Sequence, residues 1–118
     1  MAGITTKSFD SPDETRRPPN TTVDVVRLGT ATVARFTFEP GWRWSDDVAP
    51  IVGTTSCQAR HVGAVVQGTL HTVHDDGTET ELSVGDAYVV EPGHDGWVVG
   101  DQPVVVLEFE SAERYAKA

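Results

Sequence analysis

The side chains able to do chemistry in this chain of 118 residues are few: four histidines (His61, His71, His74 and His94) and one cysteine, Cys57. If residues 55–65 are extended, Cys57 and His61 share a face. They then stand roughly 13 Å apart along the strand. That is too far to hold one metal ion unless the chain turns between them. A thiolate grouped with imidazoles favours Zn, Fe, Ni or Cu over Mg or Mn. Without a metal, Cys57 reads as a small buried hydrophobe and His61 as an imidazole satisfied by a backbone carbonyl. His94 follows the turn-forming pair Pro92-Gly93. At a strand end it can serve as a ligand, as a general base or as a solvated side chain, and Asp95 beside it can orient the ring. His71 and His74 are three apart, so on a strand they face opposite ways and read as surface or interface residues. Trp42 and Trp44 share a face if their segment is extended. They are either a packed pair closing one end of a barrel or a wall for a planar ligand, each with one N–H donor. Trp97 can join either cluster. Asp46 and Asp47 read as turn-forming or solvated. A Gly-rich phosphate loop, a nucleophile elbow and a His-Glu-x-x-His helix are all absent.

These residues need a frame, and the spacing of apolar and turn residues predicts one made of strands. From Val23 onward the chain is rich in Val, Thr and Phe and cut by glycines at short intervals, the pattern of an all-β sandwich or barrel. Strands are predicted at 23–28, 31–38, 58–67, 69–74, 78–82, 86–91, 96–100 and 103–109. Asp76-Gly77, Ser83–Asp86 and Glu91-Pro92-Gly93 supply turns. Val104–Leu107 is a continuous apolar run, consistent with a strand buried on both faces. Residues 1–20 are polar, contain Pro18-Pro19 and show no period, so they read as an irregular arm. The helix-like stretch, Ser111–Lys117, is too short to stand alone.

Composition narrows the partners. The chain is 38% hydrophobic and carries a formal net charge of -9, which repels phosphate backbones. Nucleic acid and anionic membranes are therefore not expected. No apolar run approaches the roughly 20 residues that span a bilayer. A single cysteine excludes an internal disulfide framework and fits a reducing, cytoplasmic setting.

Two stretches resemble the signature motifs of the cupin superfamily. Gly68 lies seven positions after His61, and Gly85-Asp86 leads to Glu91-Pro92-Gly93-His94. In the first motif, His61 stands where the family usually has Glu. The two earlier histidines fall on Thr55 and Cys57 in an ungapped reading. Anchoring instead on Pro40-Gly41 makes Asp47 the first ligand and 48–56 an insertion. In the second motif, Gly85, Asp86 and Gly93 match, Pro92 is displaced by one, and the expected histidine falls on Gly96, with His94 out of register. Residues 38–45 and 92–100 look like those of short, single-domain bacterial cupins.

The resemblance, over about residues 23–110, implies one small jelly-roll barrel at 21–110. An irregular arm, 1–20, would precede it and a tail, 111–118, would follow. It also implies a homodimer paired through N-terminal strands. Two functions follow. In the first, the barrel mouth binds a small polar or anionic molecule through Trp42, Trp44, His61, His94 and Trp97. In the second, His61 and His94, with Cys57 or Asp47, hold a divalent transition metal (Zn, Fe, Ni or Cu) in an enzyme of dioxygenase, isomerase or lyase type. The degraded ligand motif favours the first.

Overall fold

The computed structural model describes residues 3–113 and 115–117. Among these residues nine strands run in chain order: β1 Glu14–Arg16, β2 Thr21–Leu28, β3 Ala31–Phe38, β4 His61–Gln67, β5 Thr69–His74, β6 Glu79–Ser83, β7 Ala87–Val90, β8 His94–Val98 and β9 Val104–Glu108. They form a six-stranded sheet, β1-β2-β3-β9-β4-β7, and a three-stranded sheet, β6-β5-β8. Every pairing is antiparallel. The two inner faces close on Val23, Val25, Phe36, Val65, Val104 and Val106 from the large sheet and Leu70, Leu82 and Val98 from the small one. The fold is an all-β jelly-roll: all-β as the strand and turn spacing predicts, and a jelly-roll as the cupin resemblance implies.

Gly68 joins β4 to β5 with φ of +78°, and a Cβ there would stand 2.7 Å from the Pro103 carbonyl oxygen. Only glycine meets both demands without strain.

Four features depart from the sequence reading. The arm contains the strand β1, and its earlier part lies over the outer face of the large sheet. Arg35 stacks over Phe9, and the Asp13 amide donates to the Val25 carbonyl at 2.9 Å. The segment after β3 is helical, with α1 at Trp44–Asp47 and α2 at Ala49–Val52. Trp42 and Trp44 therefore do not share a strand face; both are buried, Trp42 against Phe38 and Trp44 because a short helix turns it inward. The tail forms turns and docks against the barrel. Ala112 and Tyr115 are buried, and the Arg16 guanidinium donates to the carbonyls of both. Finally, β9 alternates: Val104 and Val106 are fully buried, whereas Val105 and Leu107 are only half-buried on the outer face. Among the described residues no helix is long and apolar enough to cross a membrane.

Candidate metal centre

His61 opens β4 and points inward with Gly63 and Val65. Residues 58–60 lie outside the strand, so Cys57 is not four extended residues away. Instead Cys57 bridges to the start of β8: its amide donates to the His94 carbonyl at 2.7 Å, and the Gly93 amide donates to the Cys57 carbonyl at 2.7 Å. This is the turn that the extended spacing lacked. The Cys57 Sγ lies 3.6 Å from His61 Nε2, and the two imidazole centroids are 4.9 Å apart. One ligand atom from each of Cys57, His61 and His94 lies within 4.8 Å of the others, and all three residues are buried.

The far sides of both rings are occupied. His61 Nδ1 is 2.6 Å from Glu108 Oε1, and His94 Nδ1 is 2.7 Å from the Glu91 carbonyl oxygen. A carbonyl only accepts, so His94 carries its proton on Nδ1. The Glu108 carboxylate likewise takes a hydrogen bond from His61 Nδ1, so in both rings Nε2 is the atom that would bind a metal, His61 giving up its Nε2 proton to do so. Histidines that bind metals show this outer-shell arrangement. Glu108 is itself held by the Tyr88 hydroxyl, 2.5 Å from Oε2, and by the Ser111 hydroxyl. Gly63 makes the room, since a Cβ there would overlap the Leu107 carbonyl and stand 2.9 Å from Tyr88 Oη.

Charge is concentrated here. Burial pushes the Cys57 thiol up, but its hydrogen bonds with His61 and His94 outweigh this and bring it down to about 6. Burial would lower His61, yet the Glu108 carboxylate, followed by Cys57, raises it to about 10. Burial works against the Glu108 carboxylate as well. The His61 charge and the donors His61, Ser111 and Tyr88 nevertheless hold it below the ordinary carboxylate range. Tyr88 stays a phenol, pushed up by burial and by Glu108.

A cavity of about 40 Å³ adjoins His61 and His94, walled chiefly by Phe38, Trp42, Trp44, Leu70, Leu82 and Tyr115. It shares Thr72, Leu82, Tyr88, Val90 and His94 with a wider groove of about 310 Å³. The structure thus brings Cys57, His61 and His94 together and sets Trp42 and Trp44 in the cavity wall. Asp47 is turned to the Arg43 amide at 3.1 Å and to Asn20 at 3.3 Å, and it is not one of the three converging groups. Trp97 is half-buried on the outer side of β8, stacked on His71 with centroids 4.5 Å apart and covered by the Arg43 guanidinium. His71 meets Glu79, and His74 meets the Pro92 carbonyl, so both are engaged away from the cluster.

No protein-family profile matches the chain, and no curated protein matches it. Solved structures do. KdgF from Halomonas sp. superposes with a TM-score of 0.64 at 21% identity, over 96% of each chain. A variant of the Bacillus subtilis oxalate decarboxylase OxdC superposes with a TM-score of 0.59 at 20% identity, over 87% of this chain and 29% of that one. A cupin-like protein from Thermotoga maritima gives 0.53 at 16% identity, over 78% and 68%. This chain has a cupin fold.

Within that fold the misregister of the second cupin motif has a simple resolution. His94 and Gly96 are two apart on β8, and both face inward. A shift by two keeps the pleat, so His94 reaches the barrel interior although the motif expects its histidine at Gly96. Gly96, lacking a side chain, leaves space beside Trp42, whose ring is 3.9 Å from where a Cβ would stand.

Glu108, Tyr88, Ser111 and Tyr115 escaped the sequence reading. A signal for Glu108 existed: it follows Val104 and Val106 at the same inward parity, and a carboxylate there must find donors. Tyr115 carries no comparable signal, because nothing in the tail fixes where it docks.

Proposed function

We propose that this cupin holds one transition-metal ion, Zn, Fe, Ni or Cu, through Cys57, His61 and His94. A small organic molecule would occupy the adjoining cavity and be processed beside the ion. The observation that carries this is the convergence of Sγ and two imidazoles within 4.8 Å, with both Nδ1 atoms already committed to acceptors. The donor set fits a borderline or soft metal rather than Mg or Mn. Three protein ligands leave at least one position free, so a bound ion supplies Lewis-acid or redox chemistry to a neighbouring molecule. The chain's own residues do the rest. Glu108 and the Glu91 carbonyl keep protons on the Nδ1 atoms and aim the rings. Aromatic and aliphatic walls exclude water, and the groove along Thr72, Tyr88 and Val90 gives a way in.

The alternative of a site for a small polar or anionic molecule alone fits less well. The walls are mainly apolar, and the Glu108 carboxylate borders the cavity.

Elemental analysis of protein purified without an affinity tag tests the metal reading. About one metal per chain, lost in Cys57→Ser and in His61→Ala, is expected. Metal-free protein whose melting temperature is unmoved by Zn, Fe, Ni or Cu salts overturns it. We further propose a homodimer formed through the outer face of the large sheet. Val62, Val66 and Val89 and the half-buried Val105 and Leu107 make that face apolar. Sedimentation equilibrium should show two chains in the wild type and one in Val66→Glu.

A further inference from the structure

The cavity beside His61 and His94, about 40 Å³, has room for about three waters. Pockets that hold organic molecules run to about 300–1,000 Å³. The groove, at about 310 Å³, is large enough, but His94 lines it and His61 does not. A molecule placed against both imidazoles therefore needs the cavity itself to widen. One wall is held differently from the others. Most lining residues sit on paired strands; of the rest, Trp42 accepts the Val98 amide at 3.0 Å and Trp44 opens α1. Tyr115 comes from the tail, which pairs with no strand among the described residues. Its ring fills the space between Phe36 and His61, with centroids 4.7 Å and 5.9 Å away. The tail's own backbone bond is local, from the Tyr115 amide to the Ser111 carbonyl at 3.1 Å. It is tied down mainly by charge. Arg16 of β1 donates to the Tyr115 carbonyl at 2.6 Å and to the Ala112 carbonyl, and Arg27 meets Glu113 at 2.8 Å. Two features oppose this docked state. Ala116 has φ of +56°, a left-handed backbone that costs any residue with a Cβ. The Tyr115 hydroxyl is buried with no partner in the protein, whereas outside the barrel water would satisfy it.

We propose that the tail beyond Ser111 is a lid on the cavity, with Arg16 as its latch. Release of the Ala112 and Tyr115 carbonyls withdraws the Tyr115 ring, widens the cavity and opens a path to Cys57 and His61. The device rests on the assignment of the cavity as the small-molecule site in the reading above, not on the metal.

Hydrogen exchange of the Ala112, Glu113 and Tyr115 amides reads the opening. Capture of Cys57, the one thiol in the chain, by methyl methanethiosulfonate reads access to the site. Both are followed in the EDTA-treated full chain at one pH, with the β5 amides as the control for global unfolding. Where reclosing outpaces each reaction, both rates scale with the open population. Arg16→Met removes the latch and should speed both by about tenfold. Ala116→Gly favours the docked backbone and should slow both by about fivefold. If the β5 amides accelerate along with the tail in Arg16→Met, the slowing in Ala116→Gly decides alone. Tail exchange that responds while Cys57 capture stays constant overturns the proposal, because the tail then frays without opening the cavity. Tail exchange unmoved by Arg16→Met, or not slowed by Ala116→Gly, also overturns it. Zn binding is measured on the same proteins. Capture that follows the tail in protein that binds no Zn sinks the metal reading and leaves the lid standing. Zn binding with capture independent of the tail does the reverse.

Discussion

Replacing Glu108 with Gln isolates the outer shell of the proposed metal site. Gln preserves shape and can keep its carbonyl toward His61 and Ser111, which both approach Oε1. Its amide nitrogen then meets the Tyr88 hydroxyl, which can rotate to accept. Packing and bond count therefore survive, while the negative charge is lost. A hydrogen bond to a charged group contributes about 1.5–3 kcal/mol, so metal-free Glu108→Gln should lose about that much stability in urea unfolding. Glu108→Leu, which strands His61, Tyr88 and Ser111 in a buried site, should lose about 3–5 kcal/mol. For the metal, losing the carboxylate behind His61 should weaken Zn binding by about 10- to 100-fold, or about 1.4–2.7 kcal/mol. Chelator competition measures this directly. In a His61→Ala background the same substitution should cost no further Zn affinity, because the ring that Glu108 orients is gone. Unchanged Zn affinity in Glu108→Gln, or an equal loss with and without His61, would refute the argument that this carboxylate acts through His61.

In metal-free protein the Cys57 thiolate should appear with a midpoint near 6, followed by ultraviolet absorbance, and His61→Gln should move it back toward 9; a wild-type midpoint near 9 would remove the proposed thiolate–imidazolium pair. The same shifts set how metal-free stability depends on pH. Cys57 is lowered from 9.0 to about 6, so its contribution is full above 9 and fades as the pH falls through 6; His61 is raised from 6.5 to about 10, so its contribution is full below 6.5 and fades as the pH rises through 10. Melting temperature in EDTA should therefore be flat between about 6.5 and 9 and fall on either side. Gly63→Ala forces a methyl into the Leu107 carbonyl and the Tyr88 hydroxyl, and it should cost about 1–3 kcal/mol and loosen Zn binding. Equal urea midpoints would show that the strand yields there. Arg16→Met removes both donors to the tail carbonyls, and faster hydrogen exchange around Tyr115 with little change in β5 is the expected result.

The strands were legible because a half-buried strand must alternate and a tight turn must use Gly, Asp or Pro. Both constraints are local, and both are written in Val23–Phe38 and Thr69–Ser83. The same locality explains the failures. Trp44 looked like the second tryptophan of a strand, since a four-residue helix leaves no periodic trace. His94 looked out of place because motif spacing counts residues, whereas a barrel interior selects parity.

From its sequence alone this protein is an all-β domain, acidic, with one thiol and four imidazoles as its available chemistry and with His61 on an inward face. Whether those groups meet was not written there. Cys57 and His61 are four residues apart but come within 3.6 Å because residues 58–60 leave the strand and Cys57 pairs with His94. Glu108 reaches His61, 47 positions away in the chain, because the pairing of β4 with β9 sets Glu108 opposite Gly63. Such contacts depend on the register of distant strands. That register is chosen by the burial of the whole core, not by the residues that carry the chemistry.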